Sequence, residues 1–265
     1  MHICRAAARP DGEARHRCRP AGHGAGGRAA AERQPAAAAC RRGRRPPRLR
    51  GEGAWWVQDA AAAAARRGCW ATSAASACST CVAPGGKTAQ LAAAGACVTA
   101  VDRAPARLRP LAVNLQRLSL HAETVEADVA AWRPEGPADA VLLDVPCSAT
   151  GTIRRHPDIA RIKTPDEVAA LAAVQARLLA AAVEMLAPGG VLVYCACSLQ
   201  PEETESVIDS LLAAGAPVRR LPIGATEIGG WDEVLTTAGD LRTLPCHLDG
   251  LGGIDGFYAA RLQRQ

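Results

Sequence analysis

From residue 81 onward, short apolar runs alternate with longer segments of helical period. Cys97–Val101 is an apolar run closed by Asp102, Thr124–Ala127 a second short strand that ends at Asp128, Ala138–Leu143 a third closed by Asp144, and Val191–Cys195 a fourth. Short runs that are apolar at successive positions suit parallel strands buried on both faces. Between and after them, Gly86–Ala94, Pro105–Leu118, Pro165–Leu186 and Glu202–Ala214 predict helices. Thr164 can cap the third of these, Pro165 suits its first turn, and Pro188-Gly189-Gly190 stops it. The alternation predicts an α/β fold, a doubly wound and mostly parallel sheet. Ligands bind such sheets at the carboxyl ends of the strands, so Asp102, Asp128 and Asp144 mark a ligand edge.

The first third of the chain reads differently. Residues 1–50 are rich in Ala, Arg, Gly and Pro without apolar period, which predicts a disordered arm, with an RNA-binding arm as the alternative. Order is expected to resume near Gly53-Ala54-Trp55-Trp56-Val57-Gln58-Asp59, so that residues 51–265 form the folded catalytic unit. Ala60 to Thr80 fits neither helix nor strand well.

Composition narrows the class. Hydrophobic residues make up 49% but aromatics only 3%, so the core must be built from Ala, Val and Leu. No apolar run approaches the roughly 20 residues of a membrane span, and MHICRAAARP lacks the apolar stretch of a secretory signal. A cytoplasmic monomer is the expectation, with the 11 cysteines reduced. The formal charge of +5 misleads. Residues 1–50 hold 13 arginines against Asp11, Glu13 and Glu32, whereas the rest of the chain holds 23 acidic against 18 basic residues. Bulk charge therefore does not argue that the body binds nucleic acid.

Three constellations hold candidate chemistry. Cys81-Val82-Ala83-Pro84-Gly85-Gly86-Lys87-Thr88 is a Gly-rich turn before a helix, where a backbone can approach a ligand and free N–H groups face it. A phosphate-binding Walker loop would need glycine at position 81, which is Cys81. Asp102 stands where an acidic residue can accept from ribose hydroxyls, and Asp128 could reach an adenine amino group. Together they describe a nucleoside-bearing cofactor. The second constellation is Asp144-Val145-Pro146-Cys147-Ser148-Ala149-Thr150-Gly151-Thr152, and the third is Cys195-Ala196-Cys197-Ser198-Leu199-Gln200-Pro201-Glu202-Glu203. Zinc held by Cys78, Cys81, Cys195 and Cys197 is a rival reading, but C-x-C matches zinc spacing poorly. No metal is expected.

These residues resemble the RNA cytosine-5 methyltransferases of the Fmu/Nol-Nop-Sun type, and most closely the bacterial 16S ribosomal RNA members. The likeness rests on APGGKT at 83–88, PCSATGT at 146–152, RRHPDI at 154–159, CSLQPEE at 197–203, RTLPCHL at 242–248 and DGFYAARL at 255–262. It implies a Rossmann-like class I methyltransferase domain, S-adenosyl-L-methionine as cofactor and ribosomal RNA as partner. It also implies that Cys197 adds to C6 of a cytosine as a thiolate, which makes C5 nucleophilic toward a sulfonium methyl group. Cys147 then assists release, and Asp144 contacts the base and cofactor. Residues Cys81, Val82, Ala83, Pro84, Gly85, Gly86, Lys87, Asp102, Asp128 and Asp144 would surround the cofactor. Cys195 receives no role.

One departure stands out. The family's first strand reads roughly Val-Leu-Asp-x-Cys, whereas this chain reads Cys78-Ser79-Thr80-Cys81. A GC-rich coding of Gly68 to Thr80, read from its third base, gives Leu-Leu-Gly-Asp-Val-Arg-Gly-Lys-Arg-Val-Leu-Asp-Leu, which restores an apolar strand and its aspartate. Residues of about 68–80 are therefore read as a frameshifted translation. Two alternatives stay open: a DNA-type enzyme with Cys147 as nucleophile, and an impaired RNA-binding remnant.

Overall fold

The computed structural model describes residues 2–5, 53, 55–64, 78–81 and 85–265. Two short strands, β1 (His2–Arg5) and β2 (Trp55–Gln58), pair antiparallel. Of the arm expected to be disordered, residues 2–5 thus form a strand, and the remainder lies outside the described residues. The stretch from Ala60 to Thr80 that fits neither helix nor strand is corrected at both ends. Residues 60–64 are helical, and β3 (Cys78–Cys81) is a strand.

The main sheet follows the predicted alternation. After β3 come α1 (Gly86–Ala93), β4 (Val98–Asp102), α2 (Pro105–Arg117), β5 (Glu123–Glu126) and β6 (Ala138–Asp144). A short helix α3 (Ile159–Ile162) leads to the long α4 (Pro165–Met185), then β7 (Leu186–Ala196) and α5 (Glu205–Ala213). Three strands close the chain: β8 (Val218–Arg220), β9 (Leu241–Thr243) and β10 (Phe257–Arg264). The sheet order is β5-β4-β3-β6-β7-β10-β8, with β9 also on β10. β3 to β7 are mutually parallel, and β10 lies antiparallel to β7, β8 and β9. The chain winds outward from β3 and then returns to β6 beside it. This is the topological switch point where open α/β sheets hold their ligands.

The central strands are apolar on both faces for the expected reason. Val141, Leu143, Leu192, Tyr194, Tyr258 and Leu262 pack with α4 and α5 on one side. Leu142, Val193, Cys195 and Ala259 pack with Ala61, Leu91 and Ile223 on the other. α4 opens with a full capping box, in which Thr164 accepts from the Glu167 N–H and the Glu167 side chain reaches back. It ends at Met185, and Leu186 is already strand, so Pro188-Gly189-Gly190 interrupts β7 rather than separating it from the helix. The register slips there: Ala138 pairs with Leu186 but Ala140 with Val191, and Gly189 takes φ 77°, open to glycine at little steric cost. α4 is long and apolar enough to cross a membrane by length and composition, although no run of that length was expected. Its Leu178, Leu179, Ala182, Val183 and Met185 belong to the buried core. The helix expected to open at Glu202 instead begins at Glu205, because Pro201–Glu203 form a 3-10 turn that buries Glu203.

Candidate active site

The sequence-predicted residues gather at the carboxyl ends of the parallel strands. Cys81 closes β3, Asp102 closes β4 and Asp144 closes β6, while Asp128 follows β5 by two residues and Cys197 follows β7 directly. Gly85, Gly86 and Lys87 open α1, with Gly85 at φ 89°. Val82, Ala83 and Pro84 lie outside the described residues.

The loops after β6 and β7 are bound to each other. Val145 N–H donates to the Cys195 carbonyl (3.0 Å), Gly151 N–H to the Cys197 carbonyl (3.0 Å), and Gly256 N–H to the Gly151 carbonyl (2.7 Å). A Cβ on Gly151 would stand 1.9 Å from the Gly256 carbonyl oxygen, so only glycine permits this approach. The result is that Cys147 and Cys197, 50 positions apart, place their sulfurs 3.3 Å from each other.

The two thiols are not equivalent. Hydrogen bonding from Cys147 holds the Cys197 thiol below its ordinary value, with help from the Lys87 charge, against burial and the Asp144 carboxylate. The same hydrogen bond, together with burial, pushes Cys147 far up. The shifts thus run in opposite directions, favouring ionisation of Cys197 over Cys147. Lys87 Nζ pairs with Asp144 Oδ2 at 2.9 Å and lies 5.0 Å from the centre of the Phe257 ring. Burial works against the Lys87 ammonium, but Asp144, Cys195 and Cys197 outweigh it and raise its pKa.

Sequence reasoning missed the residues that hold this pair. Glu203 is fully buried and accepts from Ser148 N–H (2.8 Å), Ser148 Oγ (2.5 Å), Ser198 Oγ (2.5 Å) and Gln175 Nε2 (3.2 Å). Thr150 Oγ1 accepts from Leu199 N–H at 2.9 Å, and Gln175 Nε2 also reaches the Pro146 carbonyl at 2.8 Å. A second cluster ties RRHPDI to DGFYAARL. Arg155 grips Asp255 through Nε and Nη2 (2.6–3.0 Å), and Arg154 bridges Asp255 and Asp59 (3.1 and 3.3 Å). The motif letters were visible, but hydrogen bonds between residues 55 positions apart, as from Ser148 to Glu203, leave no local signature.

At the carboxyl end of β4, Asp102 is buried. Its Oδ1 accepts from Ala104 N–H at 2.8 Å, while Oδ2 has no hydrogen-bond donor and only an ion contact with Arg107 Nε at 3.1 Å. Asp128 is exposed and accepts from Ala130 N–H at 2.9 Å. No group of three or more His, Cys, Asp or Glu side chains that could hold a metal occurs among the described residues. Cys195 packs in the core, and Cys197 faces Cys147.

The chain is similar to known proteins over most of its described part. The family model described as 16S rRNA methyltransferase RsmB/F matches residues 75–263. Ribosomal RNA small subunit methyltransferase B of Pseudomonas syringae pv. tomato is 43% identical over 188 residues, covering 69% of this chain and 41% of that protein. The same-named protein of Erwinia tasmaniensis is 41% identical over 191 residues, covering 70% and 41%. The chain therefore spans about 40% of the length of the curated relatives it matches. Among solved structures, NSun6 from Pyrococcus horikoshii with SFG superposes with a TM-score of 0.65 at 25% identity, covering 80% of this chain and 54% of that one. A methyltransferase homologue from the same organism gives 0.62 at 28%, covering 81% and 69%. With the family model matching residues 75–263, the chain belongs to the 16S rRNA methyltransferase RsmB/F family.

Proposed function

We propose that this chain is the catalytic part of a cytoplasmic enzyme that methylates C5 of a cytosine in 16S ribosomal RNA, using S-adenosyl-L-methionine and Cys197 as nucleophile. The observation that carries the reading is the thiol pair, with the Cys147 and Cys197 sulfurs at 3.3 Å; the lowered Cys197 and raised Cys147 thiols support it.

The residues present fit a nucleoside-bearing cofactor. The buried Oδ2 of Asp102, met only by the Arg107 ion contact, suits a ribose hydroxyl, and α1 begins at a positive-φ glycine with no side-chain cap on its first N–H groups. Bound there, the cofactor supplies an electrophilic methyl group.

The chain's own residues do the rest. Cys197 forms a bond from sulfur to C6, which makes C5 nucleophilic. After C5 has gained the methyl group and lost its proton to a base, the C6–sulfur bond breaks and its electrons return to Cys197. A thiol at 3.3 Å stabilises that departing thiolate by donating to it, which is the release role proposed for Cys147. The role of Asp144 is to accept from the base; its 23% exposure and its ion pair with Lys87 support that reading.

The remnant alternative rests on the Ala60 to Thr80 stretch, whereas the intact hydrogen-bonded thiol pair supports an enzyme. The test is transfer of labelled methyl groups to unmodified 16S ribosomal RNA, followed by bisulfite mapping. A single resistant cytosine is expected. No transfer, or methyl groups elsewhere than cytosine C5, would refute the proposal.

A further inference from the structure

We propose that Glu203 is a positioning residue whose buried carboxyl group clamps the loops after β6 and β7, so that the Cys147 and Cys197 thiols are held within hydrogen-bonding distance of each other. The inference rests on the reading of Cys197 as nucleophile. Its basis is geometric. Each Glu203 oxygen takes two donors: Oε1 from Ser148 N–H and Gln175 Nε2, and Oε2 from the Ser148 and Ser198 hydroxyls. The two serines directly follow Cys147 and Cys197 in the chain. Gln175 reaches the carbonyl of Pro146, directly before Cys147, and accepts from the Tyr194 hydroxyl at 3.1 Å. One side chain therefore sets the spacing of both sulfurs. Among the described residues no cation pairs with Glu203. A buried carboxyl group without a cation is costly unless its hydrogen bonds are complete, and here they are spent on the residues beside the two thiols.

The test reads each thiol separately. Iodoacetamide alkylation of the full chain is followed against pH by peptide mass spectrometry, beside kcat and KM for RNA and thermal unfolding. In the wild type, Cys197 reacts with a midpoint below that of an ordinary thiol and Cys147 resists. Glu203→Ala is expected to raise the Cys197 midpoint by about 1 pH unit, because the thiolate loses a donor. Its kcat should fall about 100-fold, the scale of a small misplacement of reacting groups, with KM unmoved. Glu203→Gln can rebuild the serine contacts and should recover most of both losses. A folded Glu203→Ala with the wild-type midpoint overturns the proposal. Should that variant fail to fold, Ser198→Ala releases only the Cys197 side, and an unmoved midpoint there overturns it equally. A wild type in which Cys147 is the reactive thiol would sink the nucleophile assignment instead, while the clamp is still judged by the change from wild type to variant.

Discussion

Lys87 Nζ lies 2.9 Å from Asp144 Oδ2, joining the start of α1 to the end of β6. Their side chains are 14% and 23% exposed, so the pair is partly screened by protein rather than by water. The raised pKa of Lys87 keeps it charged at neutral pH, and its charge favours the Cys197 thiolate that Asp144 opposes. Lys87→Met should therefore shift the pH profile of kcat/KM to the alkaline side by about 1 unit. An unmoved profile would remove Lys87 from the electrostatics of the thiol.

The roles proposed for the two cysteines predict two different failures. Cys197→Ala should abolish both methylation and covalent trapping of RNA, because no thiolate attacks C6. Cys147→Ala should let a covalent RNA adduct accumulate, because the leaving thiolate has lost its donor at 3.3 Å. Denaturing gels of protein mixed with RNA and cofactor distinguish the two. An adduct formed by the Cys197 variant would return the nucleophile role to Cys147 and revive the DNA-type alternative.

The pH dependence follows from the sign of the shifts. If Cys197 is the proposed nucleophile it acts deprotonated, so the rate of adduct formation should rise with pH through its lowered pKa and then level off. The midpoint should fall below the roughly 8.5 of a free thiol. In Cys147→Ala the first cause of that lowering is gone, so the midpoint should move up. Rapid-quench adduct kinetics across pH check both statements, and equal midpoints in the two proteins would contradict the hydrogen bond as the cause.

Asp102→Ala should weaken binding of S-adenosylmethionine by about 1.5–3 kcal/mol, the scale of one charge-assisted hydrogen bond. Asp102 also holds the Ala104 N–H and contacts Arg107, so thermal unfolding must be measured beside calorimetry. Unchanged affinity in a folded variant would exclude Asp102 from the cofactor site.

Strands β4, β6 and β7 were legible because they are apolar at successive positions, and the helices because they are punctuated, whereas Cys-Ser-Thr-Cys of β3 carries no apolar run and β5 buries only Val125 in part. Thr164, Pro165 and Glu167 mark the start of α4 in the letters alone. β10 was visible only as a motif, since FYAARLQR includes Arg261, and a buried arginine does not read as core. In the structure Arg261 pairs with Glu227 at 2.7 Å and donates to the Pro222 carbonyl at 2.6 Å, partners supplied by a distant loop. β8 and β9 are only three residues each, too short for any period. At the site, the cysteines and aspartates were legible through the family resemblance. The Glu203 clamp was not, because an acidic pair after proline reads as the exposed first turn of a helix.

The last prediction concerns β3, the strand at the switch point. Its backbone pairs with β4 and β6 at once: Cys78 stands between Val98 and Ala140, Ser79 between Thr99 and Val141, and Thr80 between Ala100 and Leu142. The partners of Cys78 and Thr80 are all buried, as a central parallel strand requires, yet Cys-Ser-Thr supplies little branched apolar surface. The shifted reading frame would place Leu-Asp-Leu at these three positions. C78L/S79D/T80L should therefore stabilise the protein. Two buried leucines are worth about 1.5–3 kcal/mol each, a large part of a typical domain margin of about 5–15 kcal/mol, and urea unfolding measures the gain. The aspartate is the residue that the family places at this point before the Gly-rich turn, so the triple variant should also bind cofactor more tightly than C78L/T80L. A urea midpoint unchanged or lowered in both variants would contradict the strand argument. Resequencing the gene and finding one continuous frame through codons 68–80 would exclude the frameshift.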